Sequence, residues 1–173
     1  MIYVNIKGTR VPFVLSYTKG TSNVYAVHGL INYDKSKKET RTLEDIVKTY
    51  PDELLDLYNN MSKKAVNRSY EEYIDICTKY LMKYEKQLEV ESKKIIHSRF
   101  GIDYLGFAYD NYTISFNNCM QYLEEDIIRL TVYHELCHLY TLKYNNSFSH
   151  NEDFYNILYQ EFTPEEVKRI NAS

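Results

Sequence analysis

The segment Thr131-Val132-Tyr133-His134-Glu135-Leu136-Cys137-His138-Leu139 constrains this chain more than any other. It lies within residues 123–144, where Ile127, Ile128, Leu130 and Leu136 supply apolar positions of a helix. Residues four apart share a helix face, so His134 and His138 can aim ring nitrogens at one point. Glu135 is rotated about 100° from His134 and can reach the same cleft without becoming a ligand. H-E-x-x-H on a helix is a pattern in which two imidazoles hold zinc and the glutamate acts on the water held there. Such a metal makes that water more acidic and polarises a carbonyl. Glu135 would take the proton and later deliver it to a leaving amine. The chemistry expected is hydrolysis of a peptide bond.

A catalytic zinc keeps three protein ligands and one open position, so a third ligand must come from elsewhere. His150 is the first choice. It follows His138 by twelve residues, beyond the polar stretch Asn145-Asn146-Ser147 and near the start of the next helix. Glu152 and Glu161 are its rivals. His28 and His97 lie far off in sequence and read as structural or surface groups. Tyr109, Tyr144 and Tyr155 are near enough in sequence to be considered as oxyanion stabilisers, although each reads first as a packed tyrosine.

Composition bounds the alternatives. At 173 residues the chain fits one domain, 1–173, and five Gly with three Pro argue against a loop-dominated protein. With 19 Tyr, 7 Phe and no Trp, tyrosine must supply much of the core and the pocket walls. A net charge of -3 is not the bulk signature of a nucleic-acid binder. Lys35, Lys37, Lys38 and Arg41, and likewise Lys93, Lys94 and Arg99, read as solvated charged faces. Cys77, Cys119 and Cys137 are odd in number and form no CxxC pair, which excludes a disulfide framework and a zinc ribbon. Reduced thiols, an N-terminus without a signal-like apolar stretch and no membrane-length apolar run place the chain in the cytoplasm, with no membrane partner.

The order of elements reads β, α, β, α, which makes the class α+β. Residues 1–33 form an N-terminal β region, with strands at 2–6, 11–17 and 23–32 punctuated by Gly8 and Gly20, and 34–40 reads as a loop. Residues 42–97 are helical. Thr42 with Asp45 resembles a capping box, Pro51 opens a second helix, and Ser69 with Glu72 caps a long one. Tyr73, Ile76 or Cys77, Tyr80, Tyr84 and Leu88 form its apolar face, and the pattern can continue to about Ile96. Residues 102–117 form a hairpin turning at Asp110-Asn111, with Ile114 and Phe116 on one face. Residues 123–171 hold the active-site helix, a helix at 151–162 and one opened by Thr163-Pro164.

Between Gly106 and Phe154 the sequence resembles the SprT-like metallopeptidases and, more loosely, other small single-domain gluzincins. Ile114-Ser115-Phe116-Asn117 is similar to that family's edge strand. Val132-Tyr133-His134-Glu135-Leu136-Cys137-His138 resembles its Val-x-x-His-Glu-x-x-His. His150-Asn151-Glu152-Asp153-Phe154 resembles its His-Gly-x-x-Trp/Phe, in which the histidine is the third zinc ligand. The resemblance implies a zincin-like fold, with a small antiparallel or mixed sheet packed on helices. It also implies a substrate cleft lined by residues 112–117 as an edge strand that takes an extended protein or peptide substrate, and a position for Asn117 near the site. Asn151 stands where the family has Gly, and the zinc ribbon of many relatives is absent. Relatives in DNA repair act on proteins crosslinked to DNA through added nucleic-acid-binding parts, which this acidic chain lacks. Its Lys, Asn, Ile and Tyr usage suits a low-GC bacterium or a phage.

Two other functions remain as alternatives. One is a non-catalytic regulatory protein in which Cys119 or Glu152 completes a four-ligand structural zinc site. Cys137 turns partly away from such a metal and reads as a buried, inert thiol. The other is a nucleic-acid-associated factor using Lys93, Lys94 and Arg99.

Overall fold

Valine, isoleucine and aromatic residues dominate the N-terminal strands, where they pair antiparallel. The computed structural model describes residues 2–16, 24–27, 33–34, 43–60, 66–99 and 104–171. Strands β1 (Ile2–Ile6), β2 (Thr9–Ser16), β3 (Val24–Val27) and β4 (Tyr33–Asp34) form a sheet in that order. Ile6 pairs with Thr9, which leaves the two-residue turn Lys7-Gly8 with φ of 49° and 88°. Two positive φ values are what a type I′ hairpin needs, and glycine meets the second freely. Ile6, Val11 and Phe13 pack with Ile46 of α1 (Leu43–Thr49) and Leu54 of α2 (Pro51–Asn60), forming an apolar cluster of their own. Pro51 occupies the first position of α2, as expected. Thr42, His28, Lys35, Lys37, Lys38 and Arg41 lie outside the described residues.

Helix α3 (Tyr70–Leu88) opens with the expected capping box. The Ser69 hydroxyl accepts from Glu72 N at 3.1 Å, and the Glu72 carboxylate accepts from Ser69 N at 2.7 Å. Tyr73, Cys77, Leu81, Tyr84 and Leu88 form its buried face. The helix does not continue to Ile96. It stops at Glu89, whose left-handed backbone (φ 53°) lets its N–H close on the Glu85 carbonyl. Residues Lys94–Ser98 form β5 instead. The β-branched pair Ile95-Ile96 fits either a helical period or a strand, and the available strand partner decides.

That partner is β7 (Thr113–Asn117), and this corrects a second expectation. The sheet order is β5-β7-β6, with β6 at Gly106–Ala108, so residues 113–117 are the central strand and all five are buried. β5 runs parallel to β7 and β6 antiparallel to it, making the sheet mixed. The hairpin itself is as expected. Tyr112 N donates to the Tyr109 carbonyl at 3.0 Å and Thr113 N to Asn111 Oδ1 at 3.1 Å, with the positive φ (63°) falling on Tyr112. The edge strand that packs against the helix Glu125–Asn145 is β6. The N-terminal sheet is separate from this one.

A 3-10 turn (Asn118–Tyr122) leads into α4 (Glu125–Asn145), which packs on α3, β6, α5 (Glu152–Leu158) and α6 (Pro164–Asn171). With neighbours on several sides, α4 buries Ile127, Ile128, Leu130, Val132, Tyr133, Leu136, Cys137 and Leu139. Thr163 caps α6 reciprocally with Glu166, at 3.2 and 2.8 Å. The architecture is α+β, a small mixed sheet packed on helices. Among the described residues no helix is long and apolar enough to cross a membrane.

Candidate metal centre

Helix α4 sets His134 and His138 one turn apart, with ring centroids 5.1 Å from each other. The chain then reverses to return His150. Asn146 ends α4 in a left-handed conformation (φ 49°) with its N–H on the Thr141 carbonyl, and Ser147 N donates to the same carbonyl at 3.1 Å. Ser147 accepts from Asn151 Nδ2 at 3.1 Å, and Asn151 Oδ1 accepts from Phe154 N at 3.1 Å. Asn151 is therefore the N-cap of α5, which gives the departure from glycine a structural reason. The reversal brings His150 Nε2 to 3.0 Å from His134 Nε2.

One donor atom from each of His134, His138 and His150 lies within 4.8 Å of the others. The phenyl ring of Phe154, fully buried, forms the floor of this cluster. Its centroid is 4.9 Å from that of His134, 4.6 Å from His138 and 4.6 Å from His150. Phe148 stacks on His138 at 5.1 Å.

The electrostatics favour neutral rings. Burial, then the neighbouring His138 and His150, lower the His134 pKa to about 3. Burial and then His150 lower that of His138 to about 4, against a weaker opposing pull from the Phe148 backbone. Neutral imidazole is the ligating form, and His138 Nδ1 is buried without a hydrogen bond. Three converging imidazoles, those of His134, His138 and His150, fit a zinc-type cation.

Glu135 is 6% exposed, and burial pushes its carboxyl up to about 8, while the Ala108 backbone N–H donating to it works in the opposite direction. It lies between α4 and β6, where Gly106 makes room. A Cβ on Gly106 would stand 2.8 Å from Glu135 Oε1 and 2.9 Å from its Cγ. No role for Gly106 was read from the sequence. An isolated glycine inside a short strand pattern is the signal that marks such a close approach.

The other candidates fall elsewhere. Glu152 and Glu161 are not among the converging donors. Glu161 accepts from Tyr84 OH at 2.7 Å and pairs with Lys83 at 2.8 Å, with Arg129 at 3.7 Å. Cys119 is also outside the donor group, and Cys137 is buried in the core. Asn117, at the end of β7, ties three segments together. Its side chain caps the 3-10 turn through Cys119 N at 3.0 Å and donates to the Tyr104 carbonyl at 3.0 Å, and its carbonyl accepts from Tyr73 OH at 3.2 Å. His97 packs edge-on to Tyr73 with Nδ1 3.3 Å from its hydroxyl, in keeping with a structural reading. The Tyr144 hydroxyl donates to the Glu89 carbonyl, and Tyr109 is exposed beyond β6. Of the three tyrosines considered, Tyr155 is the one with a ring contact to a histidine of the cluster, its centroid 6.4 Å from that of His150.

Residues 56–168, from α2 into α6, match the SprT-like family. No curated protein matches the chain. Among solved structures, the metallopeptidase zymogen of Methanocaldococcus jannaschii jannalysin aligns at 22% identity and a TM-score of 0.47, over 62% of this chain and 91% of that one.

Proposed function

The chain belongs to the SprT-like family, and from that premise we propose that it is a zinc-dependent metallopeptidase hydrolysing peptide bonds in protein or peptide substrates, with Glu135 as general base. The observation that carries this reading is the convergence of His134, His138 and His150 donor atoms within 4.8 Å, beside the buried carboxyl of Glu135.

His134, His138 and His150 would hold the zinc ion. Zinc bound there supplies Lewis acidity, which polarises the scissile carbonyl and acidifies the attacking water. Without a cation nearby, burial favours the protonated form of Glu135. A positive charge held by the histidines favours its carboxylate and brings its pKa nearer the range of an effective base. Glu135 then accepts the proton of the attacking water. It returns that proton to the departing amine, the reverse transfer at the same oxygen. Ala108 N–H and the space left by Gly106 hold the carboxyl in position for both transfers. Held by His134, His138 and His150, a zinc ion would keep a coordination position for substrate.

The test is cleavage of an unfolded protein substrate by the zinc-loaded chain and by Glu135→Gln. Wild type should cleave. The variant should hold the same zinc and lose roughly a hundredfold or more in rate, the scale of a lost general base. Zinc-loaded wild type that cleaves nothing would favour a structural metal.

A further inference from the structure

Resting on the peptidase reading above, we propose that the site selects substrates with an aromatic or large aliphatic side chain next to the scissile bond, seated on the exposed rings of Tyr155 and Tyr159. The two rings stack 5.7 Å apart at 29° on the exposed side of α5, and they are 39% and 43% exposed. Tyr155 continues directly from the metal cluster, its ring 6.4 Å from that of His150. On the His138 side, Phe148 adds a further open ring, 37% exposed.

The faces of these rings differ from those of five tyrosines that a cation covers. Arg10 lies over Tyr3, Lys79 over Tyr80, Lys83 over Tyr84, Lys93 over Tyr112 and Lys143 over Tyr144. Among the described residues no such cation covers Phe148, Tyr155 or Tyr159. An extended peptide advances about 3.3 Å per residue with side chains alternating in direction. With its ring 6.4 Å from that of His150, Tyr155 is within reach of a side chain next to a carbonyl held at the three histidines. An uncovered aromatic pair rewards an apolar or aromatic occupant through area burial and ring stacking. A small or acidic side chain there gains neither.

The chain has no tryptophan, so a Trp-containing peptide can be excited selectively and its binding read directly. The assay uses the zinc-loaded Glu135→Gln chain, which binds without turnover. Competing peptides carry Phe, Leu, Ala or Glu in place of Trp, and cut sites of zinc-loaded wild type on a peptide mixture are mapped by mass spectrometry in parallel. Phe and Leu peptides should compete about tenfold better than Ala and Glu peptides, a discrimination of ordinary size for an apolar subsite. Adding Tyr155→Gln or Tyr159→Gln should remove that preference with zinc content unchanged. Tyr159 contacts Tyr155 but is not in ring contact with Phe154, so its variant separates recognition from support of the metal floor. Cleavage with no residue preference, or a preference that survives both variants, overturns this inference and leaves the peptidase reading standing. No cleavage of any peptide overturns the peptidase reading and this inference with it.

Discussion

Gly106 of β6 and Glu135 of α4 are in such close approach that a Cβ on the glycine would stand 2.8 Å from Glu135 Oε1. The carboxyl end of Glu135 is flexible, but its Cγ would also lie only 2.9 Å away, and the residue is buried. Gly106→Ala should therefore leave the fold and the zinc in place while displacing Glu135. We expect turnover to fall roughly ten- to a hundredfold, since small misplacements of a catalytic group carry penalties of that order. Turnover at the wild-type rate in Gly106→Ala would show that the contact does not position the carboxyl.

Phe154 touches all three imidazoles and is fully buried. Phe154→Leu keeps an apolar floor but removes ring area, so the histidines gain freedom to reorient. Zinc affinity, measured by chelator competition, should weaken about tenfold, the lower end of what supporting residues around metal ligands contribute. An unchanged affinity in a folded variant would reduce Phe154 to ordinary core packing.

The metal-free chain should be acid-sensitive in a defined window. His134 and His138 have pKa values lowered to about 3 and about 4, below the unfolded value of 6.5. As pH falls through 6.5 the unfolded chain takes up protons that the folded chain refuses, so folding weakens from there down to the folded values. Glu135, raised from 4.5 to about 8, works the other way, but with two histidines against one carboxyl the melting temperature of the metal-free protein should drop as pH falls from 6.5 to 4. His134→Gln should flatten that dependence, and an equally steep profile in the variant would contradict the assignment.

Glu161 illustrates how a plausible ligand is occupied elsewhere. Glu161→Ala deprives the Tyr84 hydroxyl of its 2.7 Å acceptor and Lys83 of its partner. The expected cost is about 1–3 kcal/mol of stability, the scale for stranding a buried hydroxyl. Chemical denaturation measures it, and zinc content should not change. Loss of zinc from this variant would return Glu161 to the list of ligands.

The sequence made the active-site helix legible because H-E-x-x-H and a helical apolar pattern coincide in α4, and the caps at Ser69 and Thr163 are local hydrogen-bonding units. His150 was reachable from its spacing and from the resemblance. What local pattern could not reveal depends on partners distant in sequence. Ile95-Ile96 suits a helix tail or a strand, and only pairing with β7 makes it β5; without that pairing β7 reads as an edge. Gly106 and Phe154 have roles set by what packs against them. Asn151 departs from the family's Gly, and its hydrogen bond from Phe154 N makes it a cap that only the folded loop reveals.

Zinc content per chain by elemental analysis, on wild type and His150→Ala dialysed side by side, tests the central claim most directly. One zinc in wild type and its loss in a folded His150→Ala is the predicted result, because two helix histidines alone leave the site short of its third donor. No zinc in wild type after incubation with the metal, or full retention in His150→Ala, would contradict a centre built on His134, His138 and His150.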